Sequence, residues 1–217
     1  MGGNLFAWTA GRTITMIWFT SDLHFGHEAI IKMRNRPFAD ADDMNNALIH
    51  NINSCVQPND KLYILGDVSH HITPEATNAL VKKLRGHKYL IYGNHDLVQN
   101  PEVCPYNPSL FVSEGYYLKL RVDRMTLILM HYPMLSWDKA RAGSIMLHGH
   151  IHAGPEYNEQ NRKNGICRFD VGVDANSYYP VSLLQIRTWA EEAGRHHSEG
   201  GKPVDLNTAR ERFNPGE

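Results

Sequence analysis

Gly93-Asn94-His95-Asp96 sets an amide oxygen, an imidazole and a carboxylate side by side, directly after the apolar run Lys88-Tyr89-Leu90-Ile91-Tyr92. Two earlier apolar runs end in the same kind of residue. Ile17-Trp18-Phe19-Thr20-Ser21 leads into Asp22-Leu23-His24, and Leu62-Tyr63-Ile64-Leu65 leads into Gly66-Asp67. Further on, Met125 to Met130 delivers His131, and Ser144 to Leu147 delivers His148-Gly149-His150-Ile151-His152. Asp22, His24, Asp67, Asn94, His95, His131, His150 and His152 make up one mixture of types. A pair of divalent cations about 3.5–4 Å apart needs such a mixture: a bridging carboxylate, with imidazoles and harder oxygen donors on each side. Mixed nitrogen and oxygen ligation suits Mn, Fe, Zn or Ni better than Ca or Mg. Water bridging such a pair becomes hydroxide near neutral pH and can attack phosphorus in line.

The elements that must position these residues follow from the pattern of apolar positions. Strands are expected over Met16–Ser21, Lys61–Leu65 and Lys88–Tyr92, each ending at the chemistry. A short helix is expected over Glu28–Arg34. A longer one runs from Asp40 or Asp42 to Cys55, with Met44, Leu48, Ile52 and Cys55 on one face. Thr73-Pro74-Glu75 starts another helix, with a hydroxyl cap, proline at the first helical position and an acid in the first turn. Ala76, Leu80, Val81 and Leu84 form its apolar face. This β-α-β-α-β order predicts a parallel sheet covered by helices. In open α/β sheets, ligands bind at the carboxyl ends of the strands. The second half reads as strand-rich: Phe111–Val122 and Met125–Met130 joined through a tight turn at Asp123-Arg124, a buried strand at Ser144–Leu147, and strands over Ile166–Val173 and Val181–Ile186. Val98–Pro108 and Gly154–Gly165 read as loops. Residues 1–15 read as an N-terminal extension, with Met16 an alternative start. Residues 16–189 are the folded domain, and 190–217 a charged, mobile tail.

At 217 residues and a net charge of −1, the chain suits one domain and no nucleic-acid-coating or membrane-surface role. Cys55, Cys104 and Cys167 are odd in number and widely spaced, which argues for a reducing, cytoplasmic setting rather than a disulfide framework. No apolar run approaches the roughly 18 residues of a membrane span.

The blocks Asp22-Leu23-His24, Gly66-Asp67, Gly93-Asn94-His95-Asp96, His131 and Gly149-His150-Ile151-His152 stand in the order of the signature of the calcineurin-like metallophosphoesterase superfamily, which this chain resembles over residues 16–187. The resemblance implies an α/β fold, a four-layer α/β/β/α sandwich with mixed sheets. It implies that Asp22, His24, Asp67 and His152 hold one metal ion, and that Asp67 as bridge, Asn94, His131 and His150 hold the second, with Mn the first choice and Fe, Zn or Ni alternatives. His95 would protonate the leaving oxygen or steady the transition state, with Asp96 as its orienting partner. No arginine follows Gly66-Asp67, unlike the protein Ser/Thr phosphatases on this fold. Asp22 to His27, Arg36-Pro37-Phe38, His131 to Met134, Trp137 and Leu147 to His152 are similar to small bacterial and phage phosphoesterases.

Other residues carry weaker signals. His27 is read either as an extra phosphate donor or as a helix-start residue. Arg36 is a guess for phosphate contact, weighed against a solvated loop charge. His148 is read as orienting or packed, His70 and His71 as an exposed loop, and Tyr132 and Trp137 as packing or as base-stacking surfaces. The expected activity is dinuclear-metal-dependent hydrolysis of a small phosphate monoester or diester by a metal-bridging hydroxide. A metal-dependent nuclease is the alternative, disfavoured by the near-neutral charge. A non-catalytic binding scaffold ranks last because every donor type is intact.

Overall fold

Alternate residues of the first strands face opposite ways, and both directions are apolar. Leu62, Ile64 and Leu90 enter one core, while Phe19, Tyr63, Leu65 and Ile91 enter a second. A sheet apolar on both faces needs a layer on each. The computed structural model describes residues 15–96 and 106–198, with backbone alone for 194–198. In chain order it contains β1 (Ile17–Thr20), α1 (Glu28–Met33), α2 (Ala41–Cys55), β2 (Lys61–Ile64), α3 (Pro74–Lys82) and β3 (His87–Ile91). There follow β4 (Ser113–Gly115), β5 (Leu118–Val122), β6 (Met125–Leu129), β7 (Ile145–His148), α4 (Glu156–Lys163), β8 (Arg168–Asp170), β9 (Val181–Ser182) and α5 (Leu183–Ser198).

One sheet has the order β4-β3-β2-β1-β9 and the other β5-β6-β7-β8. β1, β2, β3 and β4 run parallel, and β9 joins β1 antiparallel. In the second sheet β6, β7 and β8 are parallel and β5 is antiparallel to β6. Ile30, Ile31, Met44, Leu48, Ile52 and Val81 from α1, α2 and α3 cover the outer face of the first sheet. Leu127, Leu129, Ile145, Leu147 and Phe169 of the second sheet close the core between the sheets. The two sheets packed face to face, with helices against them, form the mixed-sheet α/β/β/α sandwich.

The expected helix starts form. Asp40 accepts a hydrogen bond from the Asp43 amide at 2.8 Å, and Thr73 from the Ala76 amide at 3.2 Å. On α3 the buried positions are Thr77 and Val81, and Ala76 is exposed. Asp123 and Arg124 both take positive φ, 46° and 68°, as a two-residue hairpin turn requires.

Three stretches differ from the pattern reading. Phe111–Val122 is not one strand: it splits at Tyr116-Tyr117 into β4, paired to the first sheet, and β5, paired to the second. Gly154–Gly165 holds α4, whose buried face is Asn158 and Asn161 rather than apolar residues. Asn158 donates to the Asp170 carbonyl at 2.9 Å and accepts from its amide at 2.7 Å, so this helix caps the open edge of β8. A polar face of that kind leaves no apolar periodicity to read.

Val181–Ile186 is two residues of strand followed by α5, which runs on through 190, where the tail was expected to begin. Leu183 and Ile186 enter the core between the sheets, with Trp189 and Ala190 packed on it. The remainder of the tail, 199–217, and residues 1–14 lie outside the described residues. A capping box starts α5: Ser182 Oγ accepts from the Gln185 amide at 3.2 Å, and Gln185 accepts from the Ser182 amide at 2.8 Å. Ser182→Ala is expected to cost about 1 kcal/mol, read as a lower urea midpoint at unchanged slope. An unmoved midpoint would show that the Gln185 side chain alone holds this helix start.

Candidate metal centre

Asp22, His24, Asp67, His150 and His152 all take left-handed backbone, with φ of 58°, 51°, 52°, 73° and 48°. Non-glycine residues rarely adopt it, and it persists only where surroundings impose it. Here neighbouring loops impose it. The Asp22, His24 and Phe25 amides donate to the carbonyls of Gly66, Asp67 and Val68, each at 3.0 Å. The His150 amide donates to the Asp22 carboxylate at 3.0 Å. Gly93 and Gly149 leave the required room: an added Cβ would fall on Asp67 Oδ1 at the first and on Ser21 Oγ and Asp22 Oδ2 at the second.

The two carboxylates and the imidazoles converge as the spacing implied. Ligand atoms of Asp22, His24 and His152 lie within 4.8 Å of one another, and so do those of Asp22, Asp67 and His131. Asp67 Oδ1 accepts from the His95 amide at 2.9 Å, which leaves Oδ2 directed into the centre. Oδ2 lies 3.5 Å from His24 Nε2, 3.5 Å from His131 Nε2 and 3.9 Å from His95 Nε2. Asn94 Oδ1 lies 3.0 Å from His131 Nε2 and 2.8 Å from His150 Nδ1. His152 Nε2 lies 3.8 Å from Asp22 Oδ1. Asp22, His24, Asp67 and Asn94 follow strands of the first sheet, whereas His131, His150 and His152 follow strands of the second.

The electrostatics suit a cation. Burial, reinforced by Asp67, pushes the Asp22 carboxyl above its ordinary range. Burial also opposes charge on Asp67, yet the hydrogen bond and charge of His131 hold its carboxyl well below that range. Burial would lower His131 too, but Asp67 and Asp22 raise it to about 9. Burial lowers His24 to about 2, so its ring is neutral with a lone pair to give. His24 Nε2 is buried without a hydrogen-bond partner, which is costly unless something else is held there. The donor set therefore fits two clustered metal-binding groups.

Two expected roles change. Arg36 does not reach toward substrate, because its side chain is fully buried. Its Nε and Nη2 grip both oxygens of Asp174 at 2.9 and 2.8 Å, and Nη2 and Nη1 cap the carbonyls of Asp22 and Leu23 at 3.0 and 3.3 Å. Asp174 in turn accepts from His152 Nδ1 at 2.7 Å. Burial opposes charge on Asp174, but His152 and Arg36 hold its carboxyl at about 2. A carboxylate on the far nitrogen of an imidazole fixes the tautomer that frees the near nitrogen. Asp96, expected to orient His95, instead accepts from the amides of Asp67, Val68 and Gly93 at 2.8, 2.9 and 2.7 Å and from the Tyr106 hydroxyl at 2.6 Å. It builds the loop that aims Asp67.

Arg36→Met leaves Asp174 without its buried partner. It is expected to cost roughly 3–5 kcal/mol of stability and to weaken metal binding about 10- to 100-fold through His152. Urea denaturation and a metal titration check both. Unchanged values would show that the pair supports neither.

His27 is buried, with Nδ1 3.2 Å from His24 Nδ1. Burial and the neighbouring His70 and His71 lower it to about 4. His70 is half-buried and its ring lies 4.1 Å from that of His95, so it is more than an exposed loop residue; His71 is exposed. His148 is buried and hydrogen-bonded to the Gly149 carbonyl and the Tyr157 hydroxyl. Trp137 donates to the Ser144 carbonyl, a packing role, whereas the exposed Tyr132 ring lies 4.5 Å from that of His150. Asp174 and Asp170 were missed. Phe169-Asp170-Val171-Gly172-Val173-Asp174 repeats the pattern of an apolar run ending in an acid, and that was the available signal. Burial and Asp22 push Asp170 to about 8, while the Gly172 amide donates to it at 2.7 Å.

Residues 15–171 match the family described as calcineurin-like phosphoesterase. A protein of Methanocaldococcus jannaschii is 35% identical over 171 residues, covering 77% of this chain and 86% of its own. The gene 66 protein of Mycobacterium phage L5 is 29% identical over 187 residues, covering 73% and 86%. The solved structure of a protein of unknown function from Aquifex aeolicus aligns with a TM-score of 0.63 at 25% identity, over 81% of this chain and 99% of that one. The chain belongs to the calcineurin-like phosphoesterase family, and its centre is that of a metal-dependent hydrolase. Among the described residues no helix is long and apolar enough to cross a membrane.

Proposed function

We propose that the chain hydrolyses a small phosphate ester with a dinuclear metal centre, Mn being the first candidate. One observation carries the reading. A single oxygen, Asp67 Oδ2, stands 3.5 Å from an imidazole of each donor set and 3.9 Å from a third imidazole, His95, whose side chain is 32% exposed. In this reading that oxygen would be shared by two cations, and the exposed His95 ring would meet substrate.

In this reading Asp22, His24, Asp67 and His152 hold one ion, and Asp67, Asn94, His131 and His150 hold the other. When bound, the pair supplies Lewis acidity to the phosphoryl oxygens and to the attacking water. His131 donates from Nδ1 to the Leu65 carbonyl, at 2.7 Å, which keeps the Nε2 lone pair for the centre. Asp174 does the same for His152. His95 holds the proton for the leaving oxygen, and the Asp96-built loop fixes where its ring stands.

The test strips the protein with a chelator and restores Mn. Hydrolysis of bis-p-nitrophenyl phosphate is then compared with that of p-nitrophenyl phosphate. Metal-dependent turnover of either supports the reading, and the preferred ester assigns diester or monoester chemistry. No turnover of any phosphate ester by fully loaded protein overturns it.

A further inference from the structure

Outside the two groups around Asp67, ligand atoms of His27, His70 and His71 also lie within 4.8 Å of one another. Ring centroids stand 4.5 Å apart for His27 and His70 and 3.8 Å for His70 and His71. The cluster adjoins the centre, because the His70 ring is 4.1 Å from that of His95. Its geometry is built in. Phe25 pairs with Ser69 as a parallel bridge, and the His70 amide donates to the Phe25 carbonyl at 3.1 Å. The loops bearing these residues are thus fastened together. Among the described residues, the contact of His27 Nδ1 with His24 Nδ1 at 3.2 Å is the one hydrogen bond that the three side chains make to protein.

Three imidazoles have the composition of a metal site, but the proton count says otherwise. Two neutral rings facing each other through Nδ1 share one proton. In the proposed centre the His24 Nε2 lone pair would go to the ion beside Asp67, so the His24 proton would sit on Nδ1 and be donated to His27 Nδ1. The other nitrogen of His27, Nε2, then carries hydrogen. It faces a ligand as a donor and has no lone pair for a cation. His70 and His71, without a side-chain hydrogen bond to protein among the described residues, can turn N–H groups to the same point. Convergent donors beside a phosphoryl site select an anionic oxygen group.

We propose that His27, His70 and His71 bind a second phosphate group of the substrate on the His95 side of the centre. The preferred substrate class is then one with two phosphates close together, rather than an isolated ester. This rests on the metal assignment of His24 above.

The test is calorimetric titration of the Mn-loaded full chain with propane-1,3-bisphosphonate and with propylphosphonate, neither of which can be hydrolysed. Wild type is expected to bind the bisphosphonate at least about tenfold more tightly, as added hydrogen bonds to a charged group imply. His70→Ala/His71→Ala should remove most of that difference, with propylphosphonate affinity and metal content unchanged. Equal affinities in wild type, or an undiminished preference in the variant, overturn the proposal. Loss of one metal equivalent in the variant also overturns it and makes the cluster a third cation site. Failure of the phosphate-ester reading shows separately, as loaded protein that does not bind propylphosphonate either.

Discussion

Asp67→Asn is expected to abolish hydrolysis while leaving the chain folded. The amide keeps an oxygen for the His95 amide, which now sits 2.9 Å from Oδ1, so the loop should hold its course. What changes is the group at Oδ2, 3.5 Å from both His24 Nε2 and His131 Nε2. A neutral amide cannot bridge two cations, and its NH₂ would face two imidazole nitrogens. We expect kcat to fall at least about 10³-fold, or about 4 kcal/mol of barrier, with bound metal dropping by one equivalent or more. Stability of the metal-free variant should fall, since the hydrogen bond and charge that Asp67 shares with His131 are lost. Metal analysis, turnover and urea denaturation on one preparation separate these outcomes. Full activity would sink the bridging assignment.

His95→Ala should leave the metal content untouched and strike at proton transfer. Its ring makes the longest of the three approaches to Asp67 Oδ2, 3.9 Å, and is 32% exposed, where its buried neighbours are not. A general acid contributes about 10²–10⁴-fold, and its value depends on how badly the leaving oxygen needs a proton. Loss should therefore be large for an alkyl phosphate ester and small for a p-nitrophenyl ester, whose leaving group is stable as an anion. An equal loss on both esters would point to transition-state charge stabilisation by the ring instead. A fall in bound metal would make His95 a ligand.

Strand-end residues were legible because apolar runs give way there to residues with ligand chemistry, five of the eight on left-handed backbone. Apolar runs stop abruptly at Asp22, Asp67 and His131, and glycines stand where another side chain would collide. Roles that depend on distant partners were not legible. A guanidinium shortly after Asp22-Leu23-His24 suggested phosphate, but its counter-ion lies 138 positions away, at Asp174. Asp96 suggested a partner for its neighbour, yet its oxygens are claimed by the loop backbone and Tyr106. α4 was invisible because its buried face is asparagine, and α5 because Leu183, Leu184 and Ile186 extend the apolar run of β9, hiding the Ser182–Gln185 cap.

The donors lie on both sides of the seam between the sheets, four on the ends of one and three on the ends of the other. In the proposed centre, an ion held by Asp22 and His152, or by Asn94 and His131, would tie the two halves of the sandwich together. Loading and folding then share one equilibrium, since an ion that binds only the assembled seam stabilises it by about 2.7 kcal/mol at a free concentration of 100 Kd. The melting temperature should climb with the logarithm of free Mn, and a chelator should act as a mild denaturant. Supply of the ion would thereby govern how long the protein lasts as well as how fast it works.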